Sequence, residues 1–485
     1  MKKKGCILFV EPPPTGQWKP GDDISTAGRR HPSLNVTGER VYSYLNLSAA
    51  AVLREHGLDV TYIHCQSMGL DLNGLTNEME RLAPRMVVVQ AEHINLGVAI
   101  TVAETAEQCG AISVFVGPLA TALDDEFVRK RYCNYVIRGE WDLTLARLVS
   151  VLASGEDVGQ VQGLTFMRSD KVVHTPKAPL IEDLDSLPFP AYDLIDLSEF
   201  YESVFIRFPA ATMITSRGCP YHCVFCAFPN TIYSHKFRAM SPERTVAEVR
   251  HLVRQFGVKQ IRFDDDTFEI DRQRALDVCR LLKKERLDLV WLAQCRPGLM
   301  DGEICRAFRE AGCVMVLFGI ESGNEDILKK IKKKTTVEEI RRGVRIAKDA
   351  GLEVLNCVML GFYWDTPDTL KQSLDLAFEL DAEFTQFSIP TPLPGTEYFD
   401  LLKQNGHLNF DRWEDMDSFH QTRLELPYLS AGQINGAIRW AYRHYYTRPK
   451  YVAKMAKRSL KSKDHLRQTM RLMAAYFSRF KEGWL

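Results

Sequence analysis

Gly218-Cys219-Pro220-Tyr221-His222-Cys223-Val224-Phe225-Cys226 follows directly on a short apolar run, Ala211 to Ile214. Its three cysteines are spaced four and three residues apart. One loop holding three thiolates can ligate three irons of a 4Fe-4S cluster and leave the fourth iron without a protein ligand. An open position of that kind marks a catalytic metal site rather than a structural one. The competing reading is a structural zinc site built from Cys219, Cys223 and Cys226 with His222 or His235. Zinc ligands usually fall into two pairs a dozen or more residues apart. Here all three cysteines share one loop, and His222 adjoins Cys223, where chelation by both is strained.

Working outward, strands are expected at 211–216, 259–264, 288–293, 314–320, 353–360 and 384–389, and helices at about 241–256, 271–286, 301–311, 336–350 and 366–380. This repetition predicts an open, six-stranded (β/α) barrel. Chemistry in such barrels gathers where strands end and loops begin. The cysteine loop follows the first strand, and polar residues stand at the later strand ends. After the second come Asp264, Asp265 and Asp266, adjacent carboxylates whose burial needs cationic or hydrogen-bonding partners. Asp265 and Asp266 are candidates for the amino group of a ligand, against the plainer alternative of a solvated acidic turn. Arg296, after the third, offers a planar bidentate donor to a carboxylate, or a partner to the acidic loop. Glu321 and Ser322, after the fourth, offer acceptors for hydroxyl groups, or cap a turn. Gly361, after the fifth, leaves room for close approach to the backbone.

Residues 5 to about 150 also alternate strand and helix, with strand-like runs Cys6 to Val10, Val60 to Ile63, Met86 to Val89, Ile112 to Val116 and Tyr135 to Ile137. This predicts a parallel sheet with helices on both faces, binding ligands at its C-terminal strand edge. The Pro- and Gly-rich segment Glu11 to Arg40 would lie at that edge as a lid or insertion. Leu184 to Leu194 carries two prolines that pin an extended path between the two halves.

The loop resembles that of the radical S-adenosylmethionine (radical SAM) enzymes, CxxxCxΦC with an aromatic Φ, the place Phe225 fills. "G-I-E-S-G" at Gly319–Gly323, the "L-P-x-P-A-x-D-L" run at 187–194 and "P-x-P-G-T" at 392–396 extend the resemblance. Val116-Gly117-Pro118-Leu119-Ala120-Thr121 and Arg138-Gly139-Glu140-Trp141-Asp142-Leu143-Thr144 resemble two loops of the cobalamin-binding domain that precedes many such barrels. At 361–366, Tyr363, Trp364 and Asp365 replace the usual Pro, Gly and Glu. The resemblance implies that Cys219, Cys223 and Cys226 bind the cluster. It implies that Phe225, Asp265, Asp266, Arg296, Glu321, Ser322 and Gly361 lie about SAM, and Gly117, Thr121, Gly139 and Glu140 about cobalamin. The D-x-H-x-x-G motif is absent, so any cobalamin would lack that histidine ligand. The alternative is a cofactor-free flavodoxin-like domain that only docks the barrel.

Equal numbers of acidic and basic residues, 62 each, give no global charge argument for nucleic acid. No apolar run approaches the length that spans a bilayer, and the apolar stretch ending at Glu11 is too short for a signal peptide. Twelve cysteines, most of them scattered through apolar segments, point to a reducing cytoplasm. From Ala437 onward thirteen Lys or Arg face only Asp464 and Glu482, with Trp440, Tyr442, Tyr445, Tyr446, Tyr451, Tyr476 and Phe477 interleaved. Such a segment rests on an anionic membrane, holds an acidic substrate, or simply caps the barrel. No RNA-binding module is visible.

The expectation is therefore an α/β chain: a Rossmann-like (flavodoxin-like) domain at 1–150, a linker at 151–204, a partial (β/α)6 barrel at 205–400 and a basic helical extension at 401–485. By resemblance it would cleave SAM reductively to a 5′-deoxyadenosyl radical and methylate an unactivated carbon with cobalamin. Oxidative cyclisation or rearrangement is the alternative reaction, and a non-catalytic metal or cobalamin carrier the alternative class. A small-molecule or lipid-like substrate and a flavodoxin- or ferredoxin-type electron donor are the implied partners.

Overall fold

The computed structural model describes residues 5–13, 25–26, 34–35, 39–408, 410, 413 and 422–481, with side chains described as far as 474. Most of the segment between Glu11 and Arg40, and the side chains of Tyr476 and Phe477, lie outside the described residues.

The first sheet is built from strands buried on both faces, which is why they read as continuous apolar runs rather than alternating ones. β1 (Ile7–Glu11), β2 (Val60–His64), β3 (Met86–Gln90), β4 (Ile112–Val116) and β5 (Tyr135–Ile137) run parallel. An antiparallel hairpin, β6 (Leu164–Arg168) and β7 (Lys171–His174), completes the order β2-β1-β3-β4-β5-β6-β7. The span 151–204, expected as a linker, thus supplies two strands, because β5 would otherwise leave an unpaired edge. Helices α1 (Tyr44–Glu55) and α4 (Asp142–Ser154) cover one face; α2 (Leu72–Leu82) and α3 (Leu96–Gln108) cover the other. The core under α2 and α3 is closed on itself, whereas the one under α1 and α4 continues into the core of the second domain. That shared apolar layer fixes how the two halves meet.

In the second domain β8 (Ala210–Met213), β9 (Gln260–Phe263), β10 (Val290–Cys295), β11 (Cys313–Glu321), β12 (Glu353–Met359) and β13 (Phe384–Ser388) form a parallel six-stranded sheet in sequential order. Between them lie α5 (Pro242–Phe256), α6 (Arg272–Glu285), α7 (Gly302–Glu310), α8 (Val337–Asp349) and α9 (Pro367–Leu380). Each begins at a Ser, Thr or Asp whose side chain accepts a hydrogen bond from the first turn: Ser241, Asp271, Asp301, Thr336 and Thr366. This is the open barrel the spacing predicts.

An open barrel leaves β8 and β13 with unpaired backbone groups, a hazard that proteins cover. Here tyrosine hydroxyls cover them. Tyr42 donates to the Thr212 carbonyl and accepts from the Thr212 N–H on β8 (3.1 and 2.8 Å). On β13, Tyr446 does the same for Thr385 (2.7 and 3.0 Å) and Tyr442 for Phe387 (3.0 and 3.2 Å). Tyr442 and Tyr446 stand four apart on α10 (Ala431–Thr447), so one helical face reaches alternate residues of the strand. The tail continues through α11 (Pro449–Ser459) and α12 (Lys463–Lys481), where Gln468 donates to the Ser203 carbonyl ahead of β8 (2.7 Å). The basic extension therefore bridges the two edges of the barrel. None of the helices in the described residues is long and apolar enough to cross a membrane.

Candidate active site

The C-terminal ends of the strands of both sheets open onto one cavity of about 970 Å³. Cys219, Cys223, Phe225 and Cys226 line it from the barrel, and Glu11, His64, Gln90, Glu92 and Asn95 from the first domain. Gly218 enters the cysteine loop at φ +87°, and a Cβ there would sit 2.2 Å from the Lys236 carbonyl oxygen, so only glycine fits. His235 Nδ1 bonds the carbonyls of Cys219 and Tyr221 (both 3.1 Å), and its ring stacks on that of exposed His222 at 3.7 Å. The two histidines brace the loop from outside; neither lines the cavity. Among the described residues no three His, Cys, Asp or Glu side chains converge on a point as a single ion requires. A cluster that puts each thiolate on a separate iron needs no such convergence. Burial first, then the charge of Asp266, push the Cys219 thiol up, so an electropositive partner is needed to hold it as thiolate. Three soft donors on one wall with open space before them fit a 4Fe-4S cluster better than zinc.

Strand pleating decides which of the predicted residues face this space. At the end of β9, Asp264 and Asp266 line the cavity, whereas Asp265 points to the opposite face. There Asp265 accepts from the Thr215 N–H and hydroxyl, both at 2.6 Å. Asp265 is thus a tie between strand ends, and Asp264, which sequence reasoning passed over, lines the cavity instead, paired with Arg262 (3.2 Å) and accepting from Gln294 (2.5 Å). Arg296 is at the cavity, buried, with its guanidinium 3.6 Å above the Tyr221 ring of the cysteine loop and bonded to the Lys333 carbonyl. Glu321 also lines the cavity, at a register shift at the end of β11 where its φ is +63°. Its carboxylate meets Lys333 Nζ at 2.7 Å, both side chains 8% exposed. Gly319 makes this pair fit: a Cβ there would lie 2.3 Å from the Glu321 carboxylate. Nothing in the spacing of Lys332-Lys333-Lys334 singled out Lys333, because its partner, twelve residues earlier, is reached only through the turn of chain after β11.

Two further expectations are corrected by the side chains that occupy the space. The Ser322 hydroxyl turns from the cavity to meet that of Ser373 on α9 (3.1 Å). Beside Gly361, Ile434 of α10 fills the volume a Cβ would take, leaving no room for a ligand against that backbone. Asp365, in the altered loop 361–366, accepts from the N–H groups of Gly361 and Phe362 (3.1 and 2.8 Å), which replaces the turn that Pro-Gly would make.

In the first domain the predicted loops lie at the domain junction. Gly117, Thr121, Gly139 and Glu140 are not on the cavity wall. Thr121 accepts from the Gly139 N–H (3.1 Å). Both oxygens of Glu140 are used: Oε1 by Arg217 and Arg238 (3.2 and 3.0 Å), Oε2 by Arg238 and the Ile181 N–H (2.9 and 2.8 Å). Asp142 joins the same buried network through Arg217. Glu140 is therefore a domain tether, and the polar wall is instead made by Gln90, Glu92 and Asn95. Glu11 and Glu92 are both pushed up to about 7, chiefly by burial. His64 Nε2 faces the Val41 carbonyl (3.0 Å) and Nδ1 accepts from the Ser67 N–H (3.0 Å). Burial lowers His64 to about 4, so it is neutral and both its nitrogens are engaged.

Residues 213–377 match the model of the radical SAM superfamily. The chain is 32% identical over 452 residues to an uncharacterized methyltransferase of Pyrococcus horikoshii, PH0819, covering 92% of this chain and 94% of that one. It is 25% identical over 384 residues to an anaerobic magnesium-protoporphyrin IX monomethyl ester cyclase of Cereibacter sphaeroides, covering 77% and 61%. Among solved structures, the cobalamin-dependent S-adenosylmethionine radical enzyme OxsB, with aqua-cobalamin and S-adenosylmethionine bound, superposes with a TM-score of 0.72 at 17% identity, covering 98% of this chain and 72% of that one. With this full-length relative, the open barrel and three cysteines at its first strand end, the chain belongs to the radical SAM superfamily of enzymes, in the architecture that places a flavodoxin-like domain before the barrel.

Proposed function

We propose that the chain is a cobalamin-dependent radical SAM methyltransferase acting on an unactivated carbon. The observation that carries this reading is the single cavity between the two sheets, cysteines on one wall and Gln90, Glu92 and Asn95 on the other. That arrangement suits two cofactors presented to one substrate, and the methyltransferase relative spans nearly the whole chain. When bound, the cluster and SAM supply reductive cleavage and a hydrogen-abstracting radical, and cobalamin supplies a transferable methyl group.

The protein's own residues do the positioning. Cys219, Cys223 and Cys226 hold the cluster. Asp264 and Asp266 would receive the amino group of SAM, Arg296 its carboxylate, and Glu321, steadied by Lys333, its ribose hydroxyls. Gln90, Glu92 and Asn95 would offer polar contacts to cobalamin, and His64, with both nitrogens engaged, would not serve as a ligand to cobalt. Phe225 and the apolar wall of the barrel keep water from the radical. A flavodoxin- or ferredoxin-type protein supplies the electron.

The test is anaerobic reconstitution with iron, sulfide, cobalamin and reductant. 5′-Deoxyadenosine formed from SAM is expected, together with bound cobalamin. If no 5′-deoxyadenosine forms, the radical reading is lost and a carrier is left. If it forms without cobalamin binding, the methyltransferase reading falls alone and the radical-enzyme reading stands.

A further inference from the structure

The cavity has two chemically different ends. Toward the first domain it is lined by Glu11, Gln90, Glu92 and Asn95; toward the tail its wall is predominantly apolar, with hydroxyls of Thr447, Ser459 and Thr469 but no charged side chain of the tail among the described residues. From the cysteines outward run Leu317, Leu355, Met359 and Phe384, and then the facing sides of α11 and α12. On α11, Val452, Met455 and Ala456 fall at helical spacing on the cavity side; on α12, Leu466, Met470 and Met473 do the same. Buried against protein, such stripes would be ordinary core. Here Val452 is 54% exposed, Met470 61% and Met473 52%, so the apolar lining runs out to the surface as a mouth. Methionine, unbranched and polarizable, suits a surface that must fit a flexible chain.

The two helices that carry this mouth are predominantly basic. Lys450 and Lys457 on α11, Lys461 in the turn that follows it, and Lys463 and Arg467 on α12 are all exposed, and Asp464 is the single carboxylate on that stretch among the described residues. Several of these cations also meet carboxylates: Arg458 and Lys461 share Glu353 (2.7 and 3.1 Å), Lys450 and Lys454 share Asp381 (3.2 and 3.0 Å), and Arg467 lies 4.0 Å from Asp464, which leaves cations in excess, Lys457 and Lys463 among them. An apolar channel rimmed by cations is complementary to an amphiphile with an anionic head.

We propose that α11 and α12 form the substrate entrance, and that the substrate is an anionic amphiphile whose hydrocarbon chain enters between these helices toward the cysteine loop while its head group stays at the basic rim. This rests on the radical-enzyme reading only in naming the ligand a substrate; the binding itself stands apart from it.

The probe is cis-parinaric acid, an anionic fatty acid that fluoresces when its chain is buried. The full-length protein should give a saturable rise in fluorescence. The double variant Met470→Asp/Met473→Asp, at exposed positions that the fold does not need, should weaken binding roughly tenfold through lost apolar contact. Leu460→Ser, an uncharged change at a position 87% exposed and off the cavity wall, should leave binding unchanged. Dodecyl phosphate should displace the probe better than dodecanol, and by a smaller margin in high salt. Absence of saturable binding, equal binding by the double variant, or equal displacement by dodecanol overturns the proposal. Should it fall while 5′-deoxyadenosine still forms from SAM, only the amphiphile is lost and the radical enzyme remains.

Discussion

Arg217 and Asp142 meet in a bidentate pair across the domain junction, Nη1 to Oδ2 at 3.0 Å and Nη2 to Oδ1 at 3.1 Å, their side chains 3% and 2% exposed. Arg217 precedes Gly218 and Cys219, so the loop that bears the cysteines is anchored on the first domain rather than on the barrel alone. Ser48 on α1 adds a hydrogen bond to Asp142 (2.5 Å), and Arg238 shares Glu140 with Arg217. Removing one member of a buried charged network leaves another unpaired, which typically costs about 3–5 kcal/mol. Asp142→Ala should lower the urea midpoint accordingly and reduce the iron retained per chain. A loss of unfolding free energy below about 1 kcal/mol would mean the pair is dispensable.

Neighbouring carboxylates at the end of β9 should behave oppositely. Asp265→Ala removes two hydrogen bonds to Thr215, each to a charged acceptor and worth about 1.5–3 kcal/mol. It should lower the melting temperature by several degrees. Asp266→Ala, at a side chain facing the cavity, should lower melting less than Asp265→Ala and raise the Kd for SAM in equilibrium dialysis. The reverse pattern would return the binding role to Asp265.

Replacing any one of Cys219, Cys223 and Cys226 by Ala should leave far-ultraviolet circular dichroism unaltered. The same variants should lose the absorbance near roughly 400 nm expected of thiolate-bound iron. His222→Ala should retain that absorbance, since the ring stacks outside the loop on His235. Loss of metal in His222→Ala with zinc present would instead support a zinc site.

Glu11 gives a pH signature. It accepts from the Ser43 N–H (2.6 Å) and from the Tyr62 hydroxyl, and burial lifts its carboxyl from 4.5 to about 7. An acid whose pKa is higher in the folded chain binds its proton more tightly there. Its contribution is thus full below about pH 4.5 and declines as pH rises toward 7. Glu11→Gln keeps the amide oxygen as acceptor and carries no charge. The difference in melting temperature, variant minus wild type, should become more positive from pH 5 to pH 8. A pH-independent difference would place the carboxyl in contact with water.

Tyr446→Phe tests the covered strand edge. It strips the partner from both the N–H and the carbonyl of Thr385, and a buried polar group left unpaired costs about 1–3 kcal/mol. Stability should fall by that order in denaturant titrations. An unchanged midpoint would mean that water replaces the hydroxyl.

Some of this protein was legible in the residues alone. The positions of all six barrel strands and their helices follow from short β-branched runs and Ser, Thr or Asp caps, which are local signals. The cysteine loop was equally legible, since its ligands sit within one turn of chain and their spacing needs no tertiary partner. Contacts between distant segments were not. The side of the strand end on which Asp264, Asp265 and Asp266 project depends on register, and one residue's shift exchanges the two faces. Lys333 finds Glu321 only because Gly319 leaves space for it, and Ile434 reaches Gly361 only once α10 has docked on the barrel. Glu140 reads as a ligand until Arg217 and Arg238 converge on it from the other domain.

The sequence by itself determined the two α/β halves, the three thiolates and their place after the first barrel strand, because periodicity and spacing are properties of neighbouring residues. Only the tertiary structure decided which polar strand ends share the cavity with those thiolates. It also turned the basic tail into a bridge across the open barrel, since Tyr442 and Tyr446 are given their roles by the unpaired backbone of β13.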